Sequence, residues 1–152
     1  PETVRFVPVD LERPTLWESL RTAGFDDAKP VFFNMLGVVP YLARETVLAT
    51  LSAVAGLTGG TEVVFDYPNP NEELPAEQRA ERELSAEGAA AIGEPWLSYF
   101  ATDELHDRLR AAGFATIEDR GPDALVARYL GRPARDARPA GGHVVRAALG
   151  PG

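Results

Sequence analysis

Along most of the chain, short apolar runs alternate with segments in which apolar residues recur at helical spacing. Short runs rich in β-branched or aromatic residues predict five strands, at residues 4–10, 31–38, 61–67, 114–118 and 143–149. Apolar residues three and four positions apart predict five helices, at residues 14–23, 44–57, 72–92, 102–112 and 122–130. Because strands that alternate with helices form βαβ units, we expect an α/β protein with a mostly parallel sheet. The last strand follows a long loop and is expected to run antiparallel.

The stretch from Val31 to Leu42 is the best candidate for a ligand-binding edge. It begins as a strand and then meets Gly37 and Pro40. In open α/β sheets ligands bind at the carboxyl ends of the strands, so residues 34–41 are expected to line a site. Gly37 would let the backbone approach a ligand, and Tyr41 would bring a polar tip to an apolar wall. A role in the core alone is the alternative for the neighbouring apolar side chains, Phe32, Phe33, Met35 and Leu36.

Residues 72–100 are expected to form a lid or insert within a single domain that spans residues 1–152. The helix at 72–92 is strongly charged and is either a lid over the strand ends or a plain solvated helix. The segment after it carries Trp96, Tyr99 and Phe100 close to a Pro-Gly break. These aromatic residues predict a wall of a substrate pocket, and the alternative is that they pack the lid onto the sheet.

Composition excludes several classes of function. The net charge is −8 at pH 7, so a basic surface for nucleic acid is not expected. The chain has no cysteine and only two histidines, His106 and His143, so no metal site is predicted. No apolar run reaches the roughly 20 residues that cross a bilayer, so no membrane partner is expected and a cytoplasmic location is the default.

Six short motifs together resemble a known family. In chain order they are residues 7–11 (VPVDL), 23–26 (AGFD), 36–42 (LGVVPYL), 60–67 (GTEVVFDY), 93–96 (GEPW) and 112–114 (AGF). Their order and spacing are similar to those of the C-terminal part of class I S-adenosylmethionine-dependent methyltransferases. More narrowly, the chain resembles the leucine carboxyl methyltransferase family, including its actinobacterial O-methyltransferase branch. This resemblance implies a Rossmann-like sheet, S-adenosylmethionine as cofactor, S-adenosylhomocysteine as product and a small-molecule methyl acceptor.

The resemblance also implies which residues would hold the cofactor and the acceptor. Asp10 and Leu11 would bind the adenine, because a carboxylate accepts from the exocyclic amine and a backbone N–H donates to the ring. Residues Asn34, Met35 and Leu36 would flank the methionine, and residues Tyr41, Trp96 and Tyr99 would contact the acceptor. Many relatives carry glutamate where Leu36 stands, so Asn34 would have to replace its polar contact. Without the resemblance, Asp10 is interpreted as a cap on the next helix.

No catalytic residue is predicted. A carboxyl acceptor needs no general base, whereas a phenol or an alcohol would benefit from one. His106 falls on a predicted exposed helix and His143 on a predicted strand, so neither is assigned as that base.

The family's glycine-rich cofactor loop and its first two strands are not found in this sequence. We therefore expect a C-terminal fragment of an O-methyltransferase for a carboxyl or hydroxyl group, inactive by itself. The open edge left by the two strands would be covered by the missing N-terminal half or by a second copy in a homodimer. The alternative is a catalytically inactive interaction or dimerisation module with the same fold.

Overall fold

The computed structural model describes residues 3–13, 15–57, 59–131 and 141–150, and its centre is one four-stranded sheet. The strands are β1 (Val31–Met35), β2 (Thr61–Pro68), β3 (Phe114–Arg120) and β4 (Gly142–Leu149). They lie in the order β1-β2-β4-β3. Because β1 is parallel to β2, and β4 is antiparallel to both β2 and β3, three strands share one direction. The predicted mostly parallel sheet with an antiparallel last strand is confirmed.

Helices connect these strands. They are α1 (Leu16–Thr22), α2 (Arg44–Ala55), α3 (Ala76–Ala91), α4 (Thr102–Ala112) and α5 (Pro122–Leu130). Short 3-10 turns occur at Val39–Tyr41 and Asn71–Glu73. All five predicted helices are present, with bounds that differ by a few residues. Pro14, which was predicted to start the first helix, and residues 132–140 of the predicted loop lie outside the described residues.

The predicted strand at residues 4–10 is wrong. This segment is irregular, and Phe6 is 95% exposed. A strand is stable only when a neighbour completes its hydrogen-bond ladder, and no strand of the described sheet lies beside this segment. Pro8 also lacks the N–H that a ladder requires. An alternating apolar pattern alone therefore did not produce a strand.

One face of the sheet carries the core. Residues on β2 alternate between buried and half-buried, and Val63, Phe65 and Tyr67 all point to the buried face. That face packs against α2, through Val47, Leu51 and Val54, and against α4, through Leu105 and Leu109. Each fully buried side chain of this size contributes about 1.5–3 kcal/mol of hydrophobic stabilisation.

The opposite face and the β1 edge of the sheet are more open. Arg146 lies on that face and donates hydrogen bonds to Glu62 and Glu118 on the neighbouring strands. Strand β1 pairs only with β2 in the described sheet, and the side chain of Phe32 on β1 is 61% exposed. This edge lies where the predicted sheet lacks its first two strands. Among the described residues, no helix has both the length and the apolar character needed to cross a membrane.

Candidate functional site

The carboxyl ends of β1 and β2 meet at one edge of the sheet. The N–H of Gly37, just beyond β1, donates to Oδ1 of Asp66 on β2 across 2.7 Å. The N–H of Leu36 donates to Oδ1 of Asn34 across 3.0 Å, which turns the chain away from the strand. Gly37 has a φ of +70°, and a Cβ atom at that position would meet no atom within 4 Å. The backbone is therefore accessible at this strand end, as the sequence predicted for Gly37.

The segment after α3 lies against the loop that follows β1. The N–H groups of Leu97 and Ser98 both donate to the carbonyl oxygen of Pro40, at 2.6 Å and 3.3 Å. A cleft of about 540 Å³ lies between these two segments. We call it the strand-end cleft, and its lining residues are Gly37, Tyr41, Gly93, Glu94, Pro95 and Leu97. The two regions that the sequence singled out, 34–41 and 93–100, thus come together.

The three residues predicted to contact an acceptor are placed differently. Tyr41 lines the strand-end cleft, whereas Trp96 and Tyr99 are not among its lining residues. Nε1 of Trp96 is buried and has no hydrogen-bond partner among the described residues. Tyr99 is half-buried near Arg82, and burial raises the pKa of the Tyr99 phenol. Phe100 is fully buried in the core, which agrees with the packing alternative for that residue.

Asp10 and Leu11 lie apart from the strand-end cleft. Oδ1 of Asp10 accepts from the N–H of Glu12 at 3.0 Å, and Oδ2 accepts from Nε of Arg13 at 3.1 Å. Helix α1 has Thr15 at its N-cap position, so Asp10 forms a local turn and does not cap that helix. Leu11 lines a separate cavity of about 320 Å³ between α1 and α2.

The three residues predicted to flank the methionine divide between core and surface. Met35 is 8% exposed and its side chain belongs to the hydrophobic core, so only its backbone remains for a ligand. Leu36 is 49% exposed. The Oδ1 atom of Asn34 is occupied by the Leu36 N–H, and its Nδ2 remains as a donor. The predicted replacement of the family's glutamate by Asn34 therefore stays a prediction.

Both histidines bind a single carboxylate beneath α4. Asp119 on β3 contacts Nε2 of His106 at 2.8 Å, Nδ1 of His143 at 2.7 Å and the hydroxyl of Tyr67 at 2.7 Å. We call these four residues the Asp119 network. Burial alone would raise the pKa of Asp119, but hydrogen bonds from His143, Tyr67 and His106 outweigh it and hold that pKa below its usual value. Burial also raises the pKa of Tyr67.

A second set of hydrogen bonds extends the Asp119 network toward the segment that precedes α4. The Tyr67 hydroxyl lies 2.9 Å from Oγ1 of Thr102, which also accepts from Nδ2 of Asn69 at 3.2 Å. Fully buried Asn69 donates to the Phe100 carbonyl at 3.2 Å and accepts from the N–H of Gly141 at 2.9 Å. These contacts link the end of β2 to the start of α4 and to the residue before β4. Among the described residues, no group of three or more histidine, cysteine or carboxylate side chains is placed to hold a metal ion.

Helix α3 is attached to the sheet at only a few points. None of its residues is buried, and Leu84 is 72% exposed. Nε and Nη2 of Arg79 donate to the carbonyls of Asn71 and Leu74, and Nη1 of Arg82 donates to the carbonyl of Asn69. The helix is therefore solvated along its length and held at its N-terminal half.

Comparison with known proteins shows sequence similarity to methyltransferases. Residues 1–55 match the family model described as leucine carboxyl methyltransferase. The chain is 31% identical over 126 residues to "Putative S-adenosyl-L-methionine-dependent methyltransferase YktD" of Bacillus subtilis (strain 168), which covers 82% of this chain and 41% of that protein. The chain is therefore similar in sequence to S-adenosylmethionine-dependent methyltransferases over most of its length.

Solved structures show the same fold. A DUF574 family protein from Streptomyces avermitilis MA-4680 aligns with a TM-score of 0.58 at 17% identity, over 93% of this chain and 53% of that one. A "possible exported protein" of Bordetella parapertussis aligns with a TM-score of 0.50 at 13% identity, over 93% of this chain and 52% of that one. The chain thus spans about half the length of these two solved structures and 41% of the curated relative.

Two acidic residues of the cleft, Glu94 and Asp66, were given no role from the sequence. Glu94 lines the strand-end cleft, and Asp66 holds its Gly37 wall. Glu94 lies inside the quoted motif at 93–96, between Gly93, which can take the positive φ of a turn, and Pro95, whose ring restricts the backbone. Asp66 ends an apolar strand, a position where a carboxylate is unexpected unless it has a partner. These two signals were available in the sequence.

Proposed function

We propose that this chain is the C-terminal portion of an S-adenosylmethionine-dependent O-methyltransferase that acts on a carboxyl or hydroxyl group of a small molecule. One structural observation supports the proposal in addition to the sequence similarity. The strand-end cleft is lined by the loop after β1 and by the segment after α3, at the carboxyl edge of the parallel strands. That edge is where open α/β sheets bind ligands. The resemblance to the actinobacterial branch of the family supports an actinobacterial source, and the excess of arginine over lysine is typical of a GC-rich bacterial genome. A cytoplasmic location is part of the same proposal.

The residues present offer one side of a cofactor site. Asp10 and Leu11 would bind the adenine, and residues Asn34, Met35 and Leu36 would border the methionine. The open space at Gly37 and the free Nδ2 donor of Asn34 fit a polar ligand at the end of β1. The glycine-rich loop and the acidic residue for the ribose would come from the remainder of the parent protein.

Methyl transfer places modest demands on these residues. The bound cofactor supplies an activated methyl group on a sulfonium. The protein must hold the acceptor oxygen in line with that methyl group, and such positioning contributes about 7 kcal/mol in favourable systems. Tyr41 would form one wall for the acceptor, and Trp96 and Tyr99 would act from the same segment. The lid would exclude water through residues 72–100.

The test is binding of S-adenosylhomocysteine by calorimetry, to this 152-residue chain and to the longer parent protein, with the intact mass of each sample verified. We expect the parent to bind and the short chain not to bind. Binding by the short chain alone would mean that a second copy supplies the missing half of the site. The proposal fails if the parent does not bind.

Two substitutions in the parent test the residue assignments. Asp10→Ala should weaken S-adenosylhomocysteine binding at least 10-fold, since a charge-assisted hydrogen bond contributes about 1.5–3 kcal/mol. Asp107→Ala is the matched control, because Asp107 lies on the exposed surface of α4 and pairs only with Arg110 among the described residues. Equal affinities for both variants would contradict the adenine assignment.

The second candidate function is a catalytically inactive interaction or dimerisation module. The unpaired edge of β1 and the exposed Phe32 favour it, because an open strand edge is a template for pairing with another chain. A homodimer of the short chain through this edge is the corresponding proposal. Light scattering that shows a monomer at all concentrations would contradict it, as would a dimer that survives Phe32→Asp.

A further inference from the structure

The charge of the residues that line the strand-end cleft affects which kind of methyl acceptor can bind there. Glu94 is the carboxylate among the lining residues, and Tyr41 contributes a phenol. The other four lining residues are uncharged, and no arginine, lysine or histidine of the described chain lines the cleft. A carboxylate acceptor would therefore meet a like charge, with no cation to offset it. A hydroxyl acceptor would instead find a hydrogen-bond acceptor.

The backbone around Glu94 is fixed on both sides. The N–H of Glu94 donates to the carbonyl of Ala89 at 2.9 Å, which ties it to the last turn of α3. Gly93 adopts a φ of +86° to make this turn, a conformation that favours glycine. On the other side, the Leu97 N–H donates to Pro40, in the loop that carries Tyr41. The backbone of Glu94 is thus held at the cleft that Tyr41 also lines.

The Glu94 carboxylate is not used for structure. It makes no hydrogen bond or ion pair with any residue that the structure describes. Most other acidic groups near the sheet have such partners, including Asp66, Asp119 and Glu62. A carboxylate that is held at a cleft by its backbone and has no structural partner is available to a ligand.

We propose that Glu94 is the general base for methyl transfer, and that the acceptor is a phenol or an alcohol; this rests on the proposed function. A lone pair of the acceptor oxygen forms the new O–C bond to the methyl carbon, and the C–S bond breaks. Its electron pair stays on sulfur, so that the sulfonium becomes a thioether. The hydroxyl proton passes to a carboxylate oxygen of Glu94. A carboxylate acceptor has no proton to lose, so it would gain nothing from this residue.

The experiment uses the full-length parent and acceptors that differ only in the reacting group. Transfer of radiolabelled methyl from S-adenosylmethionine is measured for a panel of matched pairs, of which p-cresol and p-toluate are the first. We expect transfer to the hydroxyl member of a pair. The Glu94→Gln variant should lower kcat for that acceptor by about 100-fold, the lower range for general base catalysis, and flatten the acidic limb of its pH profile. Glu94→Asp should restore part of the rate.

Glu18→Gln is the matched control, since Glu18 is an exposed residue of α1 and belongs neither to the strand-end cleft nor to residues 72–100. It should retain wild-type kcat, and both glutamine variants should bind S-adenosylhomocysteine as the wild type does. Preferred transfer to the carboxyl members would overturn the inference. Undiminished kcat in Glu94→Gln would also overturn it, as would transfer to no hydroxyl member by a parent that binds S-adenosylhomocysteine. A parent that does not bind S-adenosylhomocysteine contradicts the proposed function itself, and the assignment of Glu94 fails with it.

Discussion

The Asp119 network and the strand-end cleft lie at the same carboxyl edge of the sheet but differ in almost every physical respect. In the network, the side chains of Asp119 and His143 are 8% and 7% exposed, and one carboxylate serves three partners. In the cleft, two glycines have positive φ and Glu94 has no described partner. The titratable residues that most resemble catalytic machinery are therefore structural. The open region with few internal contacts is the one available to a ligand.

The largest effect should come from removing the centre of the Asp119 network. Asp119→Ala leaves Tyr67, His106 and His143 without their shared acceptor, and we expect the free energy of unfolding to fall by about 3 kcal/mol. Urea denaturation measures this loss. The control, Asp107→Ala, removes a carboxylate that is 78% exposed and should change stability by no more than about 0.5 kcal/mol. Equal effects would show that the network does not hold the fold.

The pH dependence of stability also tests whether Asp119 stabilises the fold. The folded-state pKa of Asp119 lies below its ordinary value of 3.8. The ionised carboxylate therefore contributes its full stabilisation to the fold above pH 3.8, and this stabilisation is lost as the pH falls through the folded-state pKa. The stability difference between wild type and Asp119→Asn should stay constant from pH 5 to pH 4 and shrink below it. Denaturation between pH 5 and pH 3 avoids the range near 6.5 where histidines ordinarily titrate. A difference that grows on acidification would contradict the assignment.

A pair of glycine substitutions extends the comparison to the backbone. A Cβ at Gly59 would come within 2.1 Å of the carbonyl oxygen of Lys29, where the chain enters β1. Gly59→Ala should therefore cost about 2 kcal/mol, because backbone must move. Gly88→Ala on α3 meets no atom within 4 Å and should stabilise that helix by up to about 1 kcal/mol. Thermal melts of the two variants should shift in opposite directions, and a shared direction would contradict this account.

The smallest effect is expected at the strand-end cleft. Asp66→Ala removes the acceptor for the Gly37 N–H, but water can replace it at this open edge, so the loss should be about 1 kcal/mol. Hydrogen exchange of the Gly37 amide should become faster, while amides of β2 keep their protection. A loss as large as that of Asp119→Ala would mean that the cleft is as rigid as the network.

Several features were readable from the sequence for plain physical reasons. The run at 31–35 and the run at 61–68 form parallel strands because each is apolar, short and followed by a glycine or proline break. Gly37 and Tyr41 line a cleft with the segment after α3; the sequence singled out both segments but did not predict that they meet. The order of the six motifs also indicated the similarity to S-adenosylmethionine-dependent methyltransferases that the family model and the curated relative show.

Other features depend on contacts between residues far apart in the chain. The apolar alternation at residues 4–10 does not form a strand, because pairing requires a neighbour that the described sheet does not provide. The role of Asp119 rests on partners 13, 24 and 52 positions away along the chain. The spacing of apolar residues along the chain does not predict contacts between residues this far apart.

Sequence by itself determined the order and type of the elements, because hydrophobic spacing and glycine or proline breaks act locally. Only the tertiary structure decided which polar side chains share a buried site and which remain available. His106 and His143 are engaged by Asp119 because β3, β4 and α4 converge there. Glu94 has no described partner for its carboxylate, and backbone hydrogen bonds on both sides hold it at an open cleft. Those differences in surroundings, and not the residue types, separate structural residues from candidate catalytic ones.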